Sequence, residues 1–353
     1  MKRVLQPCLI TLSVLILMFS CEQKTEIRPR VFVFTDINID SGDPDDRQSL
    51  IHLLWYANEI DIQGIVPDRW DARGLEACQM VVAAYEKDYN KFQFDKKDYP
   101  TPAAVQKSLA VDFDDAVILF QEAAAEEKSP LYVLIWGNMV NFGEVLRTNP
   151  ELSKNIRLIT IGTDLMMEEY RQHIPESWET TEKPCEQYNW NGHGRNEIFN
   201  DPQFTNMWWL EINWTYEGMF SGDEPAEMFE KLSVYGALGQ HIKEVVKNEP
   251  WAQYFRVGDT PSVLYVIDPD HDLDDPTQSS WAGQFTKPFP GERPNYYTDL
   301  NGPVEWDYAN PCNTWENHVE MNAHAKGTLE AKRPEMYQAL LDKLDKIYKI
   351  SLF

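Results

Sequence analysis

Short apolar runs alternate with longer amphipathic stretches along the first half of the chain. Val31 to Phe34 is β-branched and aromatic, and Gln48 to Ala57 then carries apolar residues at helical spacing. A second pair follows, with a second predicted strand from Ile60 to Val66 and a helical pattern from Leu75 to Tyr85. Strand and helix in alternation favour a parallel sheet, because each crossover carries a helix. We therefore expect an α/β fold with an open, mostly parallel central sheet flanked by helices.

The alternation continues further along the chain and then stops. Leu131 to Ile135 and Ile156 to Ile161 are predicted strands, whereas Glu168 to Asn206 is polar, aromatic and without periodicity. Long loops inside compact domains are usually functional, so we expect part of a binding site there. Three further helices are predicted, at Pro225 to Val234, at Gly239 to Asn248 and, interrupted at Pro334, at Lys326 to Tyr348. We see no internal repeat or linker, which predicts a single domain over residues 30–353.

The first twenty residues have the pattern of an export signal. Lys2 and Arg3 precede an apolar stretch from Leu9 to Met18, and Ser20 then precedes Cys21. This order predicts a lipoprotein signal over residues 1–20, lipidation of Cys21 and a short tether over residues 21–29. The alternative is a cleaved secretory signal. Either way we expect the protein in the bacterial cell envelope, held at the membrane by lipid, or secreted if it is not lipidated.

Charge limits the partners that the chain can take. The formal net charge is -25 at pH 7, and loss of Lys2 and Arg3 with the signal would make it -27. Such a field repels phosphate backbones, so nucleic-acid polymers are poor candidates. Cys78, Cys185 and Cys312 have no zinc-type spacing. An oxidising envelope could pair two of these three thiols, or they could remain isolated.

Five aspartates are concentrated where the first predicted strand passes into the first helix. They are Asp36, Asp40, Asp43, Asp45 and Asp46. A hard cation with oxygen ligands would offset their mutual repulsion, at a strand end where open α/β sheets bind ligands. The alternative is a solvated turn that caps the helix. An EF-hand is excluded, because Ser41 and Arg47 stand where its glycine and its last glutamate are required.

These residues resemble a known family. Thr35-Asp36, the run from Asp43 to Asp46 and a helix that begins Arg-Gln-Ser-Leu are similar to the nucleoside hydrolase superfamily. More closely, they resemble a nucleoside hydrolase-like domain of secreted and lipid-anchored bacterial proteins, known partly from cellulose-binding proteins. Four further segments agree, namely Leu54 to Ile65, Leu131 to Asn141, Gly258 to Tyr265 and Ser280 to Phe285. The resemblance covers the chain from Arg30 to Phe285.

The resemblance implies a calcium site with distinct roles for its residues. Asp36 would bind Ca²⁺ and take the proton of the attacking water, with Asp46, the Trp136 carbonyl and Asp259 as further ligands. Because the loop is longer than in classical members, Asp40 is an alternative to Asp36. The implied substrate-binding residues are Asp45, Asn138, Trp190, His193, Asn196 and Glu197.

Two functions remain open at this point. The first is a calcium-dependent hydrolase of N-glycosidic or related glycosyl bonds, acting on a small glycoside, nucleoside or oligosaccharide. The second is a non-catalytic saccharide-binding protein. Phosphoester hydrolysis is disfavoured, because Arg47 is the only basic residue in the acidic loop region. His193 and His271 are candidates for the leaving-group acid by position alone, whereas we expect His52 to be structural.

Overall fold

Seven strands form one sheet in the part of the chain that this computed structural model describes, residues 28–40, 44–126, 129–163, 194–309 and 315–348. They are β1 (Arg30–Thr35), β2 (Asp61–Pro67), β3 (Leu131–Ile135), β4 (Ile156–Ile161), β5 (Trp208–Ile212), β6 (Phe285–Thr286) and β7 (Tyr296–Asp299). Their spatial order is β2-β1-β3-β4-β5-β7-β6, and β6 alone among them pairs antiparallel. The predicted open, mostly parallel sheet is confirmed.

Helices cover both faces of this sheet. They are α1 (Asp45–Trp55), α2 (Gly74–Phe92), α3 (Pro102–Lys107), α4 (Phe113–Ala124), α5 (Val140–Thr148), α6 (Arg195–Phe199), α7 (Glu224–Leu232), α8 (Gly236–Val245), α9 (Pro261–Ile267), α10 (Trp315–Glu330) and α11 (Arg333–Tyr348). Successive side chains of β1 point to opposite faces of the sheet, and each face packs into a separate core. Val31 and Val33 join the core formed with α1, α2, α8 and α11, whereas Phe32 and Phe34 join the core formed with α4 and α5.

The predicted final helix is in fact two helices. α10 ends at Glu330 and α11 begins at Arg333, so that Pro334 lies in the first turn of α11. Proline is tolerated there because that backbone position needs no intrahelical donor. The predicted interruption is therefore present, but the two helices separate at Ala331 and Lys332, just before Pro334.

The last helix is anchored in the larger core by a buried polar contact. The Tyr348 hydroxyl donates to Asp88 Oδ2 at 2.7 Å and accepts from the Trp55 indole nitrogen at 3.1 Å. Asp88 also accepts from the backbone nitrogens of Ala237 and Leu238 at the start of α8. These bonds join α1, α2, α8 and α11. In the described part of the chain, no helix combines the length and the hydropathy that crossing a bilayer requires.

Candidate active site

The carboxyl ends of β1, β2 and β3 bring three loops together at one edge of the sheet. Asp36 follows β1, Asp68 follows β2 and Trp136 follows β3. Backbone bonds hold the three ends in register, since Trp136 N donates to Phe34 O and Asp68 N to Thr35 O, each at 2.8 Å. Ligands of open α/β sheets bind at this edge.

Two of the predicted metal ligands are in direct contact. The carboxyl groups of Asp36 and Asp46 share a hydrogen bond, and the Thr35 hydroxyl donates to Asp46 Oδ1. Removal from solvent raises the pKa of Asp46 well above its usual range, and the adjacent Asp36 raises it further. Two carboxyl groups held this close need either a shared proton or a cation. Oxygen donors of this kind suit a hard cation such as Ca²⁺.

Gly137 allows the loops after β1 and β3 to approach each other. A Cβ atom at this position would lie 2.9 Å from Asp36 Cβ and 3.1 Å from Asp36 Cγ. The neighbouring Trp136 is buried, and its indole nitrogen donates to Ser262 Oγ at 2.8 Å. Ser262 Oγ in turn donates to the Asp259 carbonyl at 2.6 Å, which ties the end of β3 to the segment before α9.

Asp45 connects the acidic loop to the same segment. Its Oδ1 accepts from the Gly258 backbone nitrogen at 2.6 Å and from Ser49 Oγ at 3.2 Å, while Arg256 Nε lies 3.9 Å from Oδ2. A side chain on Gly258 would press on Asp45 Oδ2 at 2.6 Å. Asp259, which is 5% exposed, is thereby held beside the start of α1.

Within the described ranges, however, no group of three or more acidic, His or Cys side chains is arranged to hold a metal. Calcium would need backbone and water oxygens beyond the Asp36 and Asp46 pair.

Asp40 is turned away from this pair. It faces Arg73 at 3.6 Å, and both side chains are about half exposed (54% and 52%). The geometry therefore favours Asp36 over Asp40 as the first ligand. Asp43 lies outside the described residues.

The structure describes only part of the predicted second half of the pocket. Trp190 and His193 lie outside the described residues, as does Cys21. Asn196 accepts from Arg195 Nη1 at 3.1 Å, Glu197 is exposed, and Asn138 Oδ1 accepts from Val140 N at 3.0 Å. These three side chains are brought near one edge, because Gly194 packs on the backbone of the turn that follows β3. A Cβ on Gly194 would lie 2.7 Å from Met139 C and Val140 N.

A buried ion pair that the sequence did not reveal supports α6. Glu211 in β5 is fully buried and accepts from Arg195 Nε at 2.9 Å and from Arg195 Nη2 at 2.8 Å. Burial alone would raise the pKa of Glu211, but the Arg195 charge and hydrogen bonds from Arg195, Tyr296 and Thr163 hold it below its usual value. The signal that the sequence offered was one charged residue, Glu211, within an apolar strand. Its partner Arg195 is not a neighbour in the sequence, so the pair could not be predicted.

Asp68 was also missed. It is 9% exposed, and Asn141 Nδ2 donates to its Oδ1 at 3.0 Å. Burial raises the pKa of Asp68 to about 8, and the Asp36 charge adds to that shift. Its position directly after a strand, like that of Asp36, was the signal that could have found it.

Two histidines are distant from this chemistry. His52 is buried in α1 between the rings of Tyr56 and Phe255, at centroid distances of 5.4 and 5.5 Å. Burial lowers the pKa of His52 to about 3, so this side chain is neutral in the core near neutral pH. His271 packs on Tyr265 and lies three residues before Asp274, which bonds to Arg157 at the start of β4. His271 therefore lies toward the amino ends of the strands, whereas Asp36 follows a carboxyl end, and this position disfavours His271 as the leaving-group acid.

The structure distinguishes a disulfide from an isolated thiol only for Cys78. This residue is buried in α2 and carries a free thiol. Burial raises the pKa of that thiol, which makes it unreactive. Cys185 and Cys312 lie outside the described residues.

Comparison with solved structures places the fold of this chain among nucleoside hydrolase-related folds. A nucleoside hydrolase-related hypothetical protein from Saccharophagus degradans, described as associated with carbohydrate metabolism, superposes with a TM-score of 0.58 at 18% identity, covering 91% of this chain and 72% of that chain. An inosine-guanosine nucleoside hydrolase superposes with a TM-score of 0.50 at 12% identity, covering 92% of this chain and all of the other (100%). These identities show a common fold alone.

Sequence comparison is more specific. Among curated proteins, no match to this chain was found. A family model described as "Cellulose-binding Sde182, nucleoside hydrolase-like domain" matches residues 30–285. That range contains β1 to β5, the Asp36 and Asp46 pair and the Gly258 to Ser262 segment. The chain therefore belongs to the cellulose-binding Sde182, nucleoside hydrolase-like domain family.

Proposed function

We propose that this protein is a calcium-dependent hydrolase of N-glycosidic or related glycosyl bonds. The contact between Asp36 and Asp46, at the edge where β1, β2 and β3 end, carries the proposal. Asp36 and Asp46 would hold the cation together with the Trp136 carbonyl and water, and Asp259, which the described structure does not group with that pair, would join them on binding. Bound there, calcium would supply attachment for two sugar hydroxyls and for the attacking water.

The protein's own side chains would accept the proton of the water, position the acidic residues and bind the sugar. Asp36 takes a proton from the attacking water at its carboxylate, and Asp46 is kept in place by the Thr35 hydroxyl. Asp45 offers Oδ2 to a sugar hydroxyl while its Oδ1 is held by Gly258. Trp136 and Ser262 keep the Asp259 segment against the end of β3. Asn138, Asn196 and Glu197, with Trp190 and His193, would complete the sugar pocket.

A second function is favoured by the family description, which contains the words cellulose-binding. In that case the same edge holds a saccharide without cleaving it. We also infer an envelope location, with Cys21 lipidated, from Lys2, Arg3 and the apolar stretch Leu9 to Met18. The acidic net charge is compatible with a neutral sugar ligand in either case.

Product release from nucleosides and 4-nitrophenyl glycosides would separate the two functions. The wild type, Asp36→Asn and Asp71→Asn would each be assayed with calcium and with EDTA, Asp71 being a control carboxylate that is 75% exposed. We expect calcium-dependent turnover by the wild type and by Asp71→Asn, and none by Asp36→Asn. Binding of cello-oligosaccharides without turnover of any glycoside would establish the non-catalytic function instead.

A further inference from the structure

A tyrosine that the sequence did not single out lies at the same edge of the sheet as the acidic loop. Tyr216 belongs to a short 3₁₀ helix, Thr215–Met219, which begins just after β5 ends at Ile212. β5 is parallel to β4, β4 to β3 and β3 to β1. The carboxyl end of β5 therefore meets the same edge as the end of β1, which Asp36 follows.

The chain between β5 and Tyr216 is held firmly. The buried Asp299 carboxyl group accepts from Thr215 Oγ1 at 2.9 Å and from Asn213 N at 3.2 Å. The Tyr216 ring packs on the Phe220 ring at a centroid distance of 5.9 Å. The position of the Tyr216 side chain is thus fixed from both ends, as a group that orients a ligand requires.

Tyr216 and Asp45 meet at Gly258. A Cβ atom on Gly258 would lie 2.6 Å from Asp45 Oδ2 and 3.1 Å from Tyr216 Cδ2. Burial raises the pKa of Tyr216, and the charges of Asp45 and Asp259 add to that shift. The hydroxyl group is therefore within electrostatic reach of two carboxyl groups of the candidate site.

The Tyr216 hydroxyl is open to solvent and available to donate a hydrogen bond. The side chain is partly exposed, and among the residues that the structure describes this hydroxyl neither bonds to another group nor is enclosed without a partner. A phenol keeps its proton near neutral pH and so donates. The other side chains of the site, Asp36, Asp45 and Asp46, are carboxyl groups, which offer mainly acceptors.

We propose that Tyr216 is a further catalytic residue of this site, whose hydroxyl donates a hydrogen bond to the glycosidic atom that joins the sugar to its leaving group. The inference rests on the proposed function, since it needs a glycosyl bond at this edge. The attacking water bonds to the sugar and gives its proton to Asp36. The electron pair of the broken bond stays on the leaving group, where the hydrogen bond stabilises it until solvent supplies a proton.

Tyr216→Phe tests the proposal, because it removes the hydroxyl and keeps the ring. Tyr89→Phe is the matched control, since Tyr89 is also partly exposed and packs on another ring, that of Tyr85, at 6.0 Å, but lies in α2. Circular dichroism verifies that each protein is folded. kcat/KM is measured at saturating calcium with 4-methoxyphenyl and 4-nitrophenyl β-D-ribofuranosides and β-D-glucopyranosides.

The two leaving groups distinguish a catalytic from a structural role. 4-Methoxyphenol is a poor leaving group, so Tyr216→Phe should lower kcat/KM for its glycoside by at least about tenfold. The nitro group already spreads the developing charge, so the loss for the 4-nitrophenyl glycoside should be less than about threefold. Tyr89→Phe should match the wild type with both substrates.

Equal losses with the two leaving groups, or no loss with either, would overturn the assignment of Tyr216. Failure of the wild type to turn over any of these glycosides would refute the proposed function instead. Calorimetric titration with cellobiose then judges the hydrogen bond to the glycosidic oxygen. Binding by Tyr216→Phe at least about threefold weaker than by the wild type would support that bond, whereas equal affinity, or no binding by the wild type, would overturn it.

Discussion

Replacing Glu211 by alanine should destabilise the protein more than removal of any exposed acidic partner. Glu211 is fully buried and accepts two bonds from Arg195 and one from Thr163 at 2.7 Å, with a further bond from Tyr296. The Arg195 side chain is only 8% exposed, so the variant would leave its charge buried without compensation. Breaking such a pair costs about 3–5 kcal/mol of unfolding free energy.

Glu230→Ala is the matched control. Glu230 pairs with Lys243 at 2.7 Å, but the side chains are 66% and 44% exposed. Solvent screens such a pair, so its loss should cost less than about 1 kcal/mol. The double variant Arg195→Met with Glu211→Leu should recover part of the loss, because it leaves no isolated charge.

Urea unfolding, followed by tryptophan fluorescence at pH 7 and at lower pH, measures these differences. Because the pKa of Glu211 is lowered in the folded protein, its contribution to the unfolding free energy is present above the pKa of about 4.3 that it has in the unfolded chain. This contribution is lost as the pH falls through the lower pKa that Glu211 has in the folded protein. A loss at pH 7 below about 1 kcal/mol, or a difference that grows on acidification, would refute the reasoning.

Three further changes have defined outcomes. Gly137→Ala should lower the free energy of unfolding by about 1–3 kcal/mol and weaken calcium binding, because the new Cβ meets Asp36 at 2.9 Å. Gly291→Ala is the control, since its Cβ would meet nothing within 4 Å. Urea unfolding and calorimetry should show no change of stability or of calcium binding in this control. Asp40→Asn should bind calcium like the wild type while Asp36→Asn does not, and equal losses would contradict the assignment of Asp36. Burial raises the pKa of Asp299 to about 7, so the contribution of Asp299 to stability is lost as pH rises through that value. Asp299→Asn should therefore flatten the plot of unfolding free energy against pH between about pH 4 and 7. An unchanged slope of that plot would contradict this prediction.

The strands at the candidate site could be predicted from local pattern. Val31 to Phe34 and Leu131 to Ile135 are continuous apolar runs, Ile156 to Ile161 is mostly apolar, and a parallel sheet buries both of their faces. Asp36 could be placed because it directly follows such a run. Helix α4 was missed although Asp112 caps it and Ala116 and Phe120 line its buried face, so that signal was present.

Other features depend on contacts between distant parts of the chain. Glu211 makes β5 a poor strand by pattern, and bonds from Arg195, Tyr296 and Thr163 make its burial tolerable. β6 is two residues long and exists through pairing with β7. The contact between Asp45 and Gly258 joins residues 213 positions apart, so no local pattern shows it. The family resemblance implied only that Asp45 and Asp259 belong to the same site.

Calcium binding by the wild type and by Asp46→Asn tests the central claim most directly. Isothermal titration calorimetry at pH 7 would compare these two proteins with Asp71→Asn, which changes an exposed carboxylate. We predict that the wild type and Asp71→Asn bind calcium equally well. Asp46→Asn should bind at least about tenfold more weakly, because it removes one carboxylate of the contacting pair. Equal affinity in Asp46→Asn and the wild type, or no calcium binding by either, would contradict the account.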